Sequence, residues 1–216
     1  MSWERGPERP PRPESEVHVW RARLDCSGWP GASELPTADR ERSERFLRPQ
    51  PGRRWVASRW ALRLTLAAYL GQDPHAIELE ATASGKPGLQ GCDPLRFSLS
   101  HSHDLAVIGV TRSREIGIDV ERRTRDRDFI ALARAGLDPD SAEAVRRAPV
   151  EKRSDVFYEA WVRREAVAKC SGAGLVVAPP EGPVEVGLLD IGPEWTAAVA
   201  LAGAGEWPIR RFECVP

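Results

Sequence analysis

The chain has 216 residues, 41% of them hydrophobic and 29% charged, with a formal net charge of −1. That is enough apolar material for one large or two small cores, and the balanced charge argues against a general nucleic-acid coat. No apolar run is long enough for a bilayer, and MSWERGPERPPRPESE at the N-terminus puts charge and proline where a signal peptide needs an apolar stretch, so a cytoplasmic chain without membrane contact is expected.

Residues 1–15, rich in Pro, Arg and Glu, read as a disordered leader. VHVWRARL at 17–24 alternates as a strand, and 38–47 reads as a short charged helix. Proline and glycine at 49–52 are expected to break the chain before a long helix over 53–70, with Val56, Trp60, Leu64 and Leu70 as its buried stripe and Gly71 as its stop. In this region Arg40, Arg42, Arg45, Arg48, Arg53, Arg54, Arg59 and Arg63 face only Glu41 and Glu44, a basic patch suited to a phosphorylated ligand; an ordinary solvated helix face is the competing reading. The cysteines, Cys26, Cys92, Cys170 and Cys214, are scattered without a C-x-x-C pair, so reduced thiols are expected rather than a zinc cage.

Strand patterns follow at 77–81 (IELEA), 96–100 (RFSLS) and 105–111 (LAVIGVT). Between the first two, SGKPGL makes a turn that presents Lys86. FSLSHSHD puts Ser100, His101 and Ser102 at a strand end, where a hydroxyl and an imidazole can reach phosphate oxygens. Taken singly, Lys86 is as readily an exposed turn residue and His101 a hydrogen-bonded strand terminus. In IGIDVE (116–121), Ile116, Ile118 and Val120 alternate with Gly117, Asp119 and Glu121, so one strand face carries two carboxylates about 7 Å apart.

A second long helix is expected over 150–170, ending at SGAG, with strands at 184–191, 195–202 and 209–215. One long helix followed by three strands, twice, predicts an α+β fold of two halves, 16–113 and 114–216, with the seam at 112–115. If the halves pack face to face, Asp119 and Glu121 lie at the seam, in the natural place for a ligand cleft. On the second helix Phe157, Trp161, Glu165 and Lys169 recur every four residues, so a carboxylate and an ammonium continue an aromatic stripe toward the interior. A carboxylate there needs a partner, and a divalent cation bound by Asp119, Glu121 and Glu165 satisfies all three acids. Of 31 basic residues only Lys86, Lys152 and Lys169 are lysines, so each is read as a candidate for a place where a compact ammonium is required and a planar fork does not fit.

GKP, FSLSHS, GIDVE and FYEAWVRREAVAKCSGAGL, in this order and spacing, resemble the Sfp-type 4'-phosphopantetheinyl transferases, whose pattern is GKP, F-N-[IL]-S-H-S, G-[IV]-D-[IV]-E and F-x-x-x-W-[TS]-x-K-E-A-x-x-K-x-x-G-x-G-L. The likeness runs from about Arg40 to Leu175, and its last two motifs are the specific ones. It implies a pseudo-dimer of two similar α+β halves. It also implies Mg²⁺ held by Asp119, Glu121 and Glu165, and a catalytic set of Glu165, Lys169, Asp119 and His101, with Glu165 the favoured candidate for activating the incoming hydroxyl and a metal-bound water the alternative. Coenzyme A is implied as the substrate, contacted by Lys86, Ser100, His101 and Lys169, with its phosphates held by Arg42, Arg54 and Arg59. Two positions depart from the pattern: Arg164 stands where the family has lysine, and Ser98 where it has asparagine.

The implied reaction is attack by a serine of an acyl or peptidyl carrier protein, of fatty-acid, polyketide or nonribosomal peptide synthesis, on the β-phosphate of coenzyme A, releasing 3',5'-adenosine diphosphate. A monomer is expected, docking the acidic helix of the carrier through apolar and arginine-rich surface. Two alternatives are weighed. A catalytically inactive carrier-binding homologue ranks low because all three acids are present, and an arginine-rich nucleic-acid-binding module has no use for converging carboxylates.

Overall fold

The computed structural model describes residues 3–81, 86–91, 94–112, 114–172 and 182–216. In chain order the elements are strands β1 (Glu4–Arg5) and β2 (Val17–Arg23), helices α1 (Thr37–Ser43) and α2 (Pro49–Leu70), and strands β3 (Leu79–Ala81), β4 (Pro87–Leu89), β5 (Leu95–Ser102), β6 (Leu105–Arg112) and β7 (Ile116–Arg122). Helices α3 (Phe129–Gly136), α4 (Pro139–Arg147) and α5 (Arg153–Ser171) follow, then strands β8 (Val184–Leu189), β9 (Trp195–Ala202) and β10 (Ile209–Glu213).

The strands form a five-stranded sheet ordered β1-β10-β2-β6-β5, a three-stranded sheet ordered β7-β9-β8, and a β3-β4 hairpin. Alternation along the strands decides which side chains face which layer. Val17, Val19, Leu105 and Val107 of the larger sheet meet Ile116, Ile118, Val120, Val199 and Leu201 of the smaller one in a core between the sheets. The opposite face of the larger sheet, with Trp20, Ala22, Phe97 and Ile108, is covered by Ala57, Ala61, Leu62 and Leu66 of α2. On the far side of the smaller sheet, Ala198 and Ala200 are covered by Val162, Ala166 and Cys170 of α5. The result is an α+β fold of two halves, each a sheet with its own long helix, stacked helix–sheet–sheet–helix. No helix among the described residues is long and apolar enough to cross a membrane.

The packing of α5 on β7 depends on a missing side chain. A Cβ at Gly117 would sit 1.9 Å from the Ala166 carbonyl oxygen and 2.4 Å from the Cys170 nitrogen, so only glycine lets the helix backbone come down on this strand. That close approach carries Glu165 and Lys169 to the level of Asp119.

The structure departs from the sequence reading in several places; the short charged helix ends at Ser43, and Leu64 and Leu70 of the long helix are only partly buried. Helix α2 starts at Pro49 rather than 53, because Pro49 occupies the first turn, where its missing N–H costs nothing and its fixed φ suits the helix. The IELEA strand is reduced to Leu79–Ala81 and pairs with β4 alone. Strand β10 leaves its own half and pairs in parallel with β2, so the C-terminal segment completes the first half's sheet across the 113/114 division. The stretch read as a disordered leader adds β1 to the outer edge of β10, and Arg21 lies 4.5 Å over the Trp3 ring. Helices α3 and α4 stand where no element was expected; Asp128 and Asp138 cap them by accepting from Ala131 N and Ser141 N, each at 3.0 Å. The Gly85 part of the GKP turn, Cys92 and the end of the last motif, Ala173 to Leu175, lie outside the described residues.

Candidate active site

The site forms where two sheet edges lie side by side. β5 ends one sheet and β7 the other, and no backbone ladder joins them. Asp119, in the middle of β7, is 4% exposed. Its Oδ1 accepts from Lys169 Nζ of α5 at 2.6 Å and from Ser100 Oγ of β5 at 2.8 Å. Lys169 Nζ also donates to Ser100 Oγ at 2.9 Å, closing a triangle that draws on three elements and both halves of the chain. Two residues along, Glu121 accepts from Ser102 Oγ at 2.8 Å. Glu165 stands one turn before Lys169 on α5, flanked by Arg164, which donates to its Oε1 at 3.2 Å and lies 5.6 Å over the Trp161 ring. Arginine at the departing position thus keeps a cation beside the Glu165 carboxylate.

Electrostatically the three acids strain against one another. Burial pushes the Glu165 carboxyl above its ordinary pKa and the Asp119 charge adds to the shift, with Lys169 and Arg164 opposing it. The Glu121 carboxyl is likewise raised, first by burial and further by Asp119, against the hydrogen bond from Ser102. His101 is shifted down, by protein crowding its ring and then by the Lys169 ammonium, although the residue as a whole keeps much of its surface in solvent.

Among the described residues no three His, Cys, Asp or Glu side chains stand as a ready-made metal cage. The donor set nevertheless fits a divalent cation on one observation: Asp119 Oδ2 is buried with no hydrogen-bond partner, because Lys169 and Ser100 both take Oδ1. A hard cation would give that oxygen its partner and offset both the burial of the Glu121 and Glu165 carboxylates and the repulsion that Asp119 adds.

From this cluster a cleft of about 450 Å³ runs along the first half, lined by Arg42, Trp55, Arg59, Ser100, His101 and Lys169. The Arg42 and Arg59 guanidinium carbons lie 5.9 and 5.8 Å from the centre of the Trp55 ring. Arg59 pairs with Asp39 at 3.0 Å, and Asp39 also holds the buried Arg63 at 2.9 Å. A larger hollow of about 560 Å³, lined by Cys26, Trp29, Phe46 and Arg53 among others, lacks the acid cluster.

The structure therefore brings Asp119, Glu121, Glu165, Lys169, Ser100, His101, Arg42 and Arg59 to one cleft and its edge. It does not bring Arg54 or Lys86 there. Arg54 donates to Asp25 at 2.8 Å, and Lys86 donates to Glu115 Oε2 at 3.0 Å and to the Ile116 carbonyl at 2.9 Å. Sequence reasoning missed Asp39, one residue before the arginine-rich stretch, and Trp55 inside it. It names Ser98 only as a departure from the family pattern and Ser102 only as a strand-end hydroxyl, and misses their bonding to β7, although the alternation Ser98, Ser100, Ser102 is visible in FSLSHS.

Residues 26–113 match a family model described as 4'-phosphopantetheinyl transferase, N-terminal, and residues 115–204 match one described as 4'-phosphopantetheinyl transferase superfamily. The chain is 33% identical over 214 residues to the 4'-phosphopantetheinyl transferase HetI of Nostoc sp., covering 89% of this chain and 90% of that protein. It is 28% identical over 136 residues to the 4'-phosphopantetheinyl transferase of Bacillus subtilis, covering 63% and 59% respectively. It is 27% identical over 171 residues to the L-aminoadipate-semialdehyde dehydrogenase-phosphopantetheinyl transferase of Homo sapiens, covering 70% and 55%.

Proposed function

From the premise that the chain belongs to the 4'-phosphopantetheinyl transferase superfamily and is an enzyme of that class, we propose that this cleft binds coenzyme A. There the 4'-phosphopantetheine group passes to a serine of an acyl or peptidyl carrier protein in a Mg²⁺-dependent reaction. The observation that carries the reading is the Asp119–Ser100–Lys169 triangle, with its one orphaned carboxylate oxygen, at the edge of an arginine-lined cleft.

In this reaction a bond forms between the carrier serine oxygen and the β-phosphorus of coenzyme A. The bond from that phosphorus to the pyrophosphate bridging oxygen breaks, and 3',5'-adenosine diphosphate leaves. Arg42 and Arg59 face the cleft with a surplus of positive charge suited to the nucleotide phosphates. Lys169 presents a compact ammonium to the transferred phosphoryl oxygens, preorganised by Ser100 and Asp119. Glu165, a carboxylate of α5 one turn before Lys169, takes the serine proton. Asp119, Glu121 and Glu165 would hold the Mg²⁺, which supplies charge neutralisation at the pyrophosphate when bound.

Ion pairing weakens the nucleic-acid alternative. Arg54 and Arg63 are engaged by Asp25 and Asp39 and do not line the cleft, which leaves less of the basic patch for an extended polyanion. The reading is tested by following 3',5'-adenosine diphosphate release from coenzyme A. Release that requires both apo carrier and Mg²⁺ supports it; release unchanged in excess chelator, or none with any apo carrier, refutes it.

A further inference from the structure

Three serines at alternate positions of β5, Ser98, Ser100 and Ser102, point the same way, across the gap to β7. Each makes a hydrogen bond there. Ser98 Oγ accepts from the Ile118 N–H at 3.1 Å, Ser100 Oγ donates to Asp119 at 2.8 Å, and Ser102 Oγ donates to Glu121 Oε2 at 2.8 Å while accepting from the Arg122 N–H at 3.3 Å. The Ile118 and Arg122 amides lie on the edge of β7 away from β9, where a strand normally leaves its N–H groups unpaired. Since no backbone ladder joins β5 to β7, these hydroxyls provide polar links across the seam where a ladder would otherwise set the register.

We infer that this serine ladder sets the register of the two halves, and that Ser102 is the positioning residue which fixes Glu121 for the cation. The second part rests on the cation reading proposed above. A hydroxyl suits the task because it donates and accepts at once: its proton orients the carboxylate, and its lone pair ties the same oxygen to the strand backbone. Ser98 serves only the register. It contacts neither acid and holds the strand at Ile118, one residue before the first of them. The departure at position 98, where the resemblance leads one to expect asparagine, leaves the β7 edge amide satisfied by a shorter side chain.

Two measurements on the full chain test this, with thermal unfolding confirming that each variant is folded. Amide exchange followed by NMR should show Ile118 exchanging at least about tenfold faster in Ser98→Ala and Arg122 at least about tenfold faster in Ser102→Ala, with Ser102→Thr restoring protection. Mn²⁺ binding by calorimetry, without coenzyme A, should weaken by about 10- to 100-fold in Ser102→Ala and recover in Ser102→Thr. Unchanged exchange at both amides would overturn the register role. Wild-type Mn²⁺ affinity in Ser102→Ala would overturn the positioning role. If the wild-type chain and Asp119→Ala alike bind no Mn²⁺, the cation reading and the positioning role fall together, and the exchange rates alone decide the register.

Discussion

Lys169 is held by two oxygens, 2.6 Å from Asp119 Oδ1 and 2.9 Å from Ser100 Oγ, in a position that a longer planar guanidinium cannot adopt without displacing one of them. Lys169→Arg should therefore keep the charge yet lower kcat by at least about tenfold at saturating coenzyme A. Lys152, exposed just before α5, is the control: Lys152→Arg should change kcat by less than about twofold and stability by less than about 0.5 kcal/mol. Equal losses in the two variants would mean that Lys169 acts as a charge alone. The scarcity of lysine was a partial guide. It pointed to Lys169, but it pointed as strongly to Lys86, which sits on Glu115 and a backbone carbonyl. Composition shows where an ammonium is kept and does not show which oxygen it meets. Glu165 gives a pH test. The folded state holds its proton more tightly than the unfolded chain does, so this group favours folding at low pH and that contribution is lost as pH rises past its raised pKa. Metal-free Glu165→Gln should thus be more stable than wild type at about pH 8, with the gap closing toward about pH 4, in paired urea titrations. A gap independent of pH would place Glu165 in an ordinary solvated environment.

At the scale of elements, the contact between α5 and β7 is the tightest constraint on the site. Gly117→Ala drives a methyl into the Ala166 carbonyl, which is backbone and cannot rotate away. The substitution should cost about 3 kcal/mol or more in denaturant unfolding and lower turnover in whatever fraction stays folded. A loss under about 1 kcal/mol would mean that the helix can retreat from the strand. Asp39 joins α1 to α2 by binding Arg59 and Arg63 together, and Arg63 is almost fully buried. Asp39→Ala should cost about 3–5 kcal/mol by leaving that cation unpaired, and urea unfolding reads it directly. The elements legible in the sequence are those with a strong local signal: β2, β5 and β7 alternate, β6 and β9 are short continuous apolar runs, and α5 carries its stripe. α3 and α4 escaped because each is short and is held by tertiary contact, Phe129 and Val145 packing on Phe157 and Tyr158 of α5. The parallel pairing of β10 with β2 joins residues about 190 positions apart, and no local pattern encodes such a partner.

At the scale of the whole molecule, the site exists only when both halves are present. Ser100, His101, Arg42 and Arg59 come from the first half; Asp119, Glu121, Glu165 and Lys169 come from the second, and the sheet core between the halves fixes their distance. The motifs disclosed the acids and the lysine. They did not disclose that Asp119 would be left with one buried oxygen lacking a partner, because that follows from how β5, β7 and α5 meet. The central claim is that this shared site transfers 4'-phosphopantetheine under the control of a divalent cation. The most direct measurement is the intact mass of an apo carrier protein after incubation with this enzyme, coenzyme A and Mg²⁺, run beside Asp119→Ala and beside excess chelator. The account predicts a mass gain of one phosphopantetheine group on the carrier serine with wild type, reduced at least about 100-fold in initial rate by Asp119→Ala and abolished by chelator. An equal gain in all three reactions, or no gain on any apo carrier, would contradict it.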